Sequence, residues 1–219
     1  MESPVGQATY EKLTVMLKPD MKPGQSIDFY NKECTNYEEM LCHGNYTGSL
    51  IAINEVERLV PLEQRERMRV IDVAAGTGRV GLDLRKIGFK NIDALEPAEG
   101  MMKLLKETNA YTHTFQEFLG VGSSSVPQGA YDMVTMVGGL GGGHVPVSGV
   151  DDLIRFAKPG ALVIIVTRVE FMEIVEYKGR LEPHMDSLET RGLWRKVTKK
   201  VVPNYFHGKD GLVFIYRVL

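Results

Sequence analysis

The feature that most constrains the fold is a regular alternation of short β-type runs and helical patterns over residues 69–167. Apolar β-type runs predict strands at residues 69–74, 91–95, 111–115, 131–137 and 161–167. Apolar residues at three- and four-residue spacing predict the helices between them, at residues 79–86, 98–108 and 150–157. Because parallel strands need a crossover connection, this alternation predicts a doubly wound α/β sheet.

The end of the chain does not continue this alternation of strands and helices. After a helical stretch at residues 171–191, interrupted at Pro183, two more strands are predicted at residues 194–202 and 212–218. The segment between these strands is too short for a crossover helix, so the two strands are expected to be antiparallel. The predicted fold is therefore α/β, with a mostly parallel seven-stranded sheet that ends in an antiparallel hairpin.

The length of 219 residues fits one domain. Residues 1–24 mix proline and glycine with a short amphipathic patch, and they predict a loosely ordered N-terminal arm. A helix is predicted to begin at Ser26, and a second one at residues 49–59. We therefore expect a single domain at residues 25–219, with N-terminal helices at 25–66 and the sheet core at 67–219.

Composition excludes several classes of function. The net charge of −2 and the absence of a basic stretch argue against a nucleic-acid surface. The two cysteines, Cys34 and Cys42, cannot build a disulfide framework, and they lack the spacing of a metal site. The apolar runs are too short to cross a membrane, and the first residues show no secretory pattern. We expect a cytoplasmic protein that binds no metal, nucleic acid or membrane; its oligomeric state is not predicted.

A glycine-rich motif, Gly76-Thr77-Gly78-Arg79-Val80-Gly81, follows the first predicted strand and opens a helix. In this context G-x-G-x-x-G predicts that a nucleotide-like ligand approaches the backbone. Glu96 ends the next predicted strand, where a carboxylate accepts hydrogen bonds from ribose hydroxyls. NAD and S-adenosylmethionine both carry such a ribose, so this pair of features does not choose between them.

Asp72 favours S-adenosylmethionine. It lies near the carboxyl end of the first strand, where ligands bind in such sheets. At about 5 Å and an effective dielectric constant near 20, each phosphate charge of NAD would be repelled by roughly 3 kcal/mol. The ammonium and sulfonium of S-adenosylmethionine would instead be attracted, directly or through a water. The alternative is that Asp72 points away and caps a backbone group.

Four separated segments resemble class I S-adenosylmethionine-dependent methyltransferases. They are the strand and turn at residues 70–78, the segment 94–102, the strand entry at 129–134 and the turn at 158–162. Ala74 stands where that family usually has a glycine. A narrower similarity, to the Williams–Beuren syndrome chromosome region methyltransferase-like proteins, is carried by residues 137–140, 144–146, 167–168 and 188–194.

The resemblance implies where the cofactor would bind. Its methionine part would lie on a floor formed by Ala74, Ala75, Gly76, Thr77 and Gly78, where small side chains let a ligand reach the backbone. Glu96 would bind the ribose. The remaining cofactor contacts are assigned to Pro97, Met101, Glu117, Phe118 and Val137. Met101 is alternatively core filling, and Glu117 a solvated loop acid, because the family's usual Asp is missing there.

Tyrosines and one histidine complete the expected site. Tyr30 and Tyr37 are seven residues apart, hence on one helix face, and by resemblance they would cover the cofactor; alternatively they anchor the helix to the sheet. Tyr46 would join them or line the acceptor pocket. His144 follows a run of glycines near the end of the fourth strand and is the candidate general base; an exposed loop histidine is the alternative.

These observations favour an S-adenosylmethionine-dependent methyltransferase. It would transfer the methyl group in line to a small-molecule or other unidentified acceptor, with S-adenosylhomocysteine as product. Two alternatives stay open, an NAD(P)-dependent oxidoreductase on the same type of fold and a non-catalytic S-adenosylmethionine-binding protein. Asp72 and the expected antiparallel hairpin at the end of the chain argue against the oxidoreductase.

Overall fold

The computed structural model describes residues 21–219 as an α/β fold around a seven-stranded sheet. The strands are β1 Arg69–Val73, β2 Asn91–Leu95, β3 Thr114–Phe115, β4 Tyr131–Val137, β5 Ala157–Arg168, β6 Trp194–Phe206 and β7 Lys209–Val218. Their order across the sheet is β3-β2-β1-β4-β5-β7-β6. The predicted fold class is confirmed.

Helices cover both faces of the sheet. They are α1 Pro23–Glu33, α2 Tyr37–His43, α3 Gly48–Leu59, α4 Leu62–Arg65, α5 Arg79–Lys86, α6 Glu99–Glu107, α7 Gly149–Phe156 and α8 Leu181–Thr190. Short 3₁₀ helices occur at Cys34–Asn36 and Val169–Glu173. Within residues 21–219, none of these helices combines the length and the apolar character that a membrane span requires.

The strand directions follow from the connections. β1 pairs in parallel with β2 and β4, and β4 pairs in parallel with β5. β7 is antiparallel to both β5 and β6, as the short connection predicted. The chain leaves β1 toward β2 on one side of the sheet and later returns to β4 on the other. The carboxyl ends of β1 and β4 therefore flank a crevice, the place where open α/β sheets bind ligands.

The core has two layers because the strands alternate their side chains between two faces. Within β5, Val163 and Ile165 face the layer that contains α7 and α8, whereas Ile164 and Val166 face the layer that contains α3 and α5. Such a strand, buried on both faces, is typical of the centre of a doubly wound sheet. Burial of each such side chain contributes about 1.5–3 kcal/mol.

The boundaries of several elements differ from the sequence prediction; β5 already begins at Ala157 and β6 extends to Phe206. β3 is only Thr114–Phe115, because it pairs with β2 at Ala94 and Leu95 alone. Pro183 does not interrupt a helix; it lies in the first turn of α8, where its missing N–H removes no hydrogen bond. Of the predicted arm, residues 1–20 lie outside the described residues, and α1 already begins at Pro23.

Candidate functional site

A cavity of about 260 Å³ lies at the carboxyl ends of β1, β2, β4 and β5. The glycine-rich loop after β1 and the loop after β4 form its lower walls, and α1 and α2 cover it. Twelve of the predicted site residues line this cavity: Tyr30, Tyr37, Ala74, Ala75, Gly76, Thr77, Glu96, Pro97, Met101, Phe118, Val137 and His144. Asp72, Gly78 and Glu117 do not.

The three glycines of the glycine-rich loop have different surroundings: one faces open space and two pack against Tyr111. Gly76 has φ +57°, and a Cβ built on it would meet no atom within 4 Å, so its backbone is open to a ligand. Gly78, at φ +91°, instead ends the loop as the N-cap of α5 and faces the Tyr111 ring. A Cβ on Gly81 would lie 2.2 Å from that ring. The first glycine thus leaves ligand space, whereas the other two serve packing.

Glu96 joins the loop to the end of β2. Its Oε2 accepts a hydrogen bond from the Gly76 N–H at 2.8 Å, and its Oε1 accepts one from the Ala98 N–H at 2.9 Å. The side chain is buried, and this burial raises its pKa to about 7 in spite of the two hydrogen bonds. A buried carboxylate that is held by backbone donors and lines a cavity is suited to accept hydrogen bonds from vicinal hydroxyls.

Asp72 does not face the cavity, so the direct ligand contact expected for it is wrong. Its Oδ2 accepts a hydrogen bond from Tyr111 Oη at 2.7 Å, and its Oδ1 accepts one from Thr135 Oγ1 at 3.1 Å. Burial raises its pKa to about 7. The side chain points away from the cavity, as in the alternative, but its donors are side-chain hydroxyls and not a backbone group. Asp72 joins β1 to Tyr111 and to β4, and its side chain does not line the cavity.

Glu117 is also turned away from the cavity. Its carboxylate accepts hydrogen bonds from Ser124 Oγ at 2.6 Å and from the Ser125 N–H at 3.0 Å. Glu117 therefore holds the loop that follows β3, and its side chain does not line the cavity in which a cofactor contact was expected. The adjacent Phe118 does line the cavity, and Met101 is buried there on α6.

Tyr30 and Tyr37 lie on two helices rather than one. The 3₁₀ turn at Cys34–Asn36 separates α1 from α2, yet the two rings still meet edge-to-face with centroids 5.8 Å apart. Tyr30 Oη lies 2.7 Å from Nε2 of His144. His144 Nδ1 lies 2.7 Å from the carbonyl oxygen of Gly142, which can only accept, so Nδ1 carries the proton and Nε2 accepts from Tyr30. His144 is thus partly buried and hydrogen-bonded at both nitrogens.

Polar contacts fasten the cover formed by α1 and α2 to the sheet. Ser26 Oγ donates to the carbonyl of Gly143 at 2.7 Å, and Asn31 Oδ1 accepts from the Gly100 N–H at 2.9 Å. On α2, Glu38 accepts hydrogen bonds from Thr77 Oγ1 and from Arg79 Nη2. The two helices therefore touch the loop after β4, the start of α6 and the glycine-rich loop. These are the elements that surround the cavity.

Comparison with known proteins identifies the family. Residues 48–206 match the methyltransferase domain family, and this range contains β1 to β6 and the glycine-rich loop. The chain is 30% identical over 176 residues to methyltransferase-like protein 27 of Homo sapiens, which covers 80% of this chain and 70% of that protein. The chain belongs to the class I S-adenosylmethionine-dependent methyltransferases.

Other similar proteins carry related names. A demethylmenaquinone methyltransferase of Clavibacter sepedonicus is 27% identical to this methyltransferase over 157 residues, 68% of this chain and 61% of that protein. A methyltransferase structure from Thermotoga maritima superposes with a TM-score of 0.57 at 17% identity, over 86% of this chain and 97% of the other. The [4+2]-cyclase SpnF has a TM-score of 0.55 at 15% identity, over 72% and 79%. These structural similarities concern the fold.

The methyltransferase cavity is also lined by residues to which the sequence analysis assigned no role in the site. Arg79 follows the glycine-rich loop, and Arg168 ends β5; Tyr205 and Phe206 come from the end of β6. A sequence pattern could have predicted the position of Arg168, because it is a charged residue directly after a run of apolar residues at the carboxyl end of a strand. No such pattern marks Tyr205 and Phe206, because their approach depends on how the β6–β7 hairpin folds over α3.

Proposed function

We propose that this methyltransferase transfers the methyl group of S-adenosylmethionine to a small-molecule acceptor bound in the cavity under α1 and α2. One observation carries the proposal: the Gly76 N–H is hydrogen-bonded to the Glu96 carboxylate, so the glycine-rich loop and the ribose-binding acid form one continuous wall. Because α1 and α2 cover the cavity, it suits a small acceptor better than a macromolecular one.

The residues present fit the methyl donor. The space over Gly76 that a Cβ would otherwise enter leaves room for its methionine part, and Glu96 supplies acceptors for the ribose hydroxyls. Pro97, Met101 and Phe118 supply apolar surface for the adenine. When bound, the sulfonium supplies an activated methyl group with a good leaving group. The chain's own task is mainly to hold an acceptor in line with that group and to exclude water.

His144 and Tyr30 form the general-base pair of the proposal. The Nε2 of neutral His144 accepts a hydrogen bond from the Tyr30 hydroxyl, so it is placed to receive that proton in the same step in which Tyr30 Oη gains another. An acceptor that loses a proton on methylation would pass it to Tyr30 Oη while Tyr30 passes its own to His144 Nε2. Burial lowers the pKa of His144, which keeps the ring neutral and ready to accept at neutral pH.

Binding measurements test the proposal. Isothermal titration calorimetry with S-adenosylmethionine, S-adenosylhomocysteine and NAD should show binding of the first two and none of the third. Binding of NAD alone would support the oxidoreductase alternative and reject the proposal. Incubation with labelled S-adenosylmethionine and fractionated metabolite extracts should then label a small molecule. Tight cofactor binding with no labelled product from any extract would support the non-catalytic alternative.

Three further properties predicted from the sequence concern the class of acceptor, the location in the cell and the narrower family. The net charge of −2 supports an acceptor other than nucleic acid. A cytoplasmic location and the narrower similarity to the Williams–Beuren syndrome chromosome region proteins stay predictions from the sequence.

A further inference from the structure

Arg168 occupies an unusual place for a charged residue. It is the last residue of β5, at the carboxyl end of a central strand, and it forms part of the cavity wall. Its side chain is only 5% exposed. Arginine is rarely buried without a purpose, because removing the guanidinium from water is costly unless other groups bind it.

Only part of the hydrogen-bonding capacity of the Arg168 guanidinium is used. Nη2 lies 3.0 Å from Oε2 of Glu170, a side chain that is half exposed and is also paired with Lys209 Nζ at 2.9 Å. The Nε–H is buried and has no hydrogen-bond partner among the described residues. A buried donor without a partner is rare and costly in native proteins. Arg168 is therefore left with hydrogen-bonding capacity at the edge of the cavity.

The sheet places Arg168 away from the proposed cofactor end. Glu96 follows β2, Arg168 ends β5, and the order β2-β1-β4-β5 puts three strand spacings between them. At roughly 4.8 Å per spacing, the two residues are on the order of 14 Å apart across the sheet. A different arginine, Arg79, lies beside the glycine-rich loop and is paired with Glu38. The two ends of the cavity thus have separate cationic groups.

Aromatic side chains surround the Arg168 end of the cavity. The Arg168 guanidinium lies 5.8 Å from the centroid of Phe171, and the rings of Tyr46 and Tyr205 meet edge-to-face at 5.2 Å. All three aromatic residues line the same cavity. At this end of the cavity the Arg168 guanidinium therefore lies among aromatic rings. Such a site suits a molecule with a planar apolar body and one negative group.

We propose that Arg168 binds a carboxylate of the methyl acceptor, and that the acceptor is a small, mostly apolar carboxylic acid with a planar body. The assignment rests on the proposed function and names the substrate class of that site. A guanidinium binds a carboxylate through two parallel hydrogen bonds, and the free Nε–H with the neighbouring Nη2 provides that edge. Because Nη2 has two protons, one can stay with Glu170.

A pair of probes that differ only in having a carboxylate or a carboxamide group tests the proposal. 4-Hydroxybenzoate and 4-hydroxybenzamide are titrated into the full chain loaded with S-adenosylhomocysteine, and binding is followed by NMR. We expect the carboxylate to bind at least tenfold more tightly than the amide. Arg168→Gln should reduce this preference to less than threefold while the affinity for S-adenosylhomocysteine changes by less than twofold.

Two further variants serve as controls, with thermal unfolding as the check on folding. Lys209→Gln removes the other partner of Glu170 and one positive charge, but Lys209 lies outside the cavity wall, so the preference should persist. Arg168→Lys keeps the charge without the two-point edge, so it should lower the preference by threefold or more even if Arg168→Gln does not fold.

Three results with the two probes would overturn the assignment. These are equal binding of the two probes to the wild type, an unchanged preference in both Arg168 variants, and an equal loss of preference in Lys209→Gln. A tenfold loss of S-adenosylhomocysteine affinity in Arg168→Gln would also overturn it, since Arg168 would then bind the carboxylate of the cofactor. If S-adenosylhomocysteine does not bind the wild type at all, the proposed function itself fails.

Discussion

The hydroxyl of Tyr30 is hydrogen-bonded to Nε2 of His144 at 2.7 Å, across the mouth of the cavity. Tyr30 belongs to α1 and His144 to the loop after β4, so this bond joins the cover to the sheet. It also gives the histidine a fixed tautomer, with the proton on Nδ1. One contact thereby joins α1 to the loop after β4 and fixes the tautomer of the candidate general base.

We expect His144 to titrate below pH 6.5 in NMR spectra of the ring protons. Burial lowers the pKa of His144 because the charged ring is less well solvated. Tyr30→Phe removes a hydrogen bond to the neutral ring, so the pKa should move upward. Tyr37→Phe is the control, because it keeps the ring beside Tyr30 and removes a hydroxyl that is not bonded to His144. This variant should leave the titration of His144 unchanged. Titration at or above 6.5 in the wild type would contradict the burial of this ring.

Asp72 predicts an unusual pH dependence of stability. Burial raises its pKa from 3.8 to about 7, so the folded protein holds a proton that the unfolded chain releases near pH 4. Stability contributed by the protonated carboxyl is present below pH 4 and is lost as the pH rises to about 7. Asp72→Asn, which is always neutral, should therefore gain stability relative to the wild type between pH 5 and pH 8.

Urea unfolding at several pH values measures this difference. The relative gain of Asp72→Asn should be on the order of 1 kcal/mol or more across that interval. Thr135→Val is the matched control, since it removes one hydroxyl donor to Asp72 but leaves the titrating carboxyl in place. A difference between wild type and Asp72→Asn that does not vary with pH would show that Asp72 is ionised throughout.

Glu38 tests the attachment of α2 to the glycine-rich loop. Its carboxylate binds both Thr77 and Arg79, so Glu38→Ala should loosen the cover over the cofactor. Because both members of the ion pair are partly exposed, the expected effect is at most about 1 kcal/mol, or fivefold in affinity. Surface plasmon resonance with S-adenosylhomocysteine should show it mainly as a faster dissociation rate.

The adjacent Glu39 supplies the control for this experiment. It is exposed on the same turn of α2, so Glu39→Ala makes the same chemical change without touching the loop. Equal dissociation rates for the two variants would mean that α2 does not retain the cofactor through Glu38.

Glu96→Ala should weaken S-adenosylhomocysteine binding by about 1–3 kcal/mol, or about 5- to 150-fold, because a buried charged acceptor is lost. Glu66→Ala removes an exposed carboxylate that pairs with Lys90 near the start of β2, and it should have no effect. Calorimetry gives the affinities, and circular dichroism checks folding. Unchanged affinity in a folded Glu96→Ala protein would remove this residue from the ribose site.

Much of the fold was predictable from local patterns. The apolar run of β5 and the short connection between β6 and β7 predicted a central strand and an antiparallel hairpin, and both are present. The helix boundaries of α5 were read correctly from the glycines that flank it. Periodicity, glycine and chain length act over a few residues, so they are visible without the tertiary structure.

Local patterns along the chain were therefore enough to predict the α/β class, the strand directions and the location of Gly76 and Glu96 at the carboxyl edge of the sheet. Three contacts became visible only in the folded chain: Asp72 turns toward Tyr111 and Thr135, Tyr30 meets His144, and Arg168 reaches the same cavity. These contacts join residues that are distant in the chain, and their geometry depends on strand order and on how helices pack across it. Local sequence patterns carry no such information, because a side chain's partner is set by the segments folded against it.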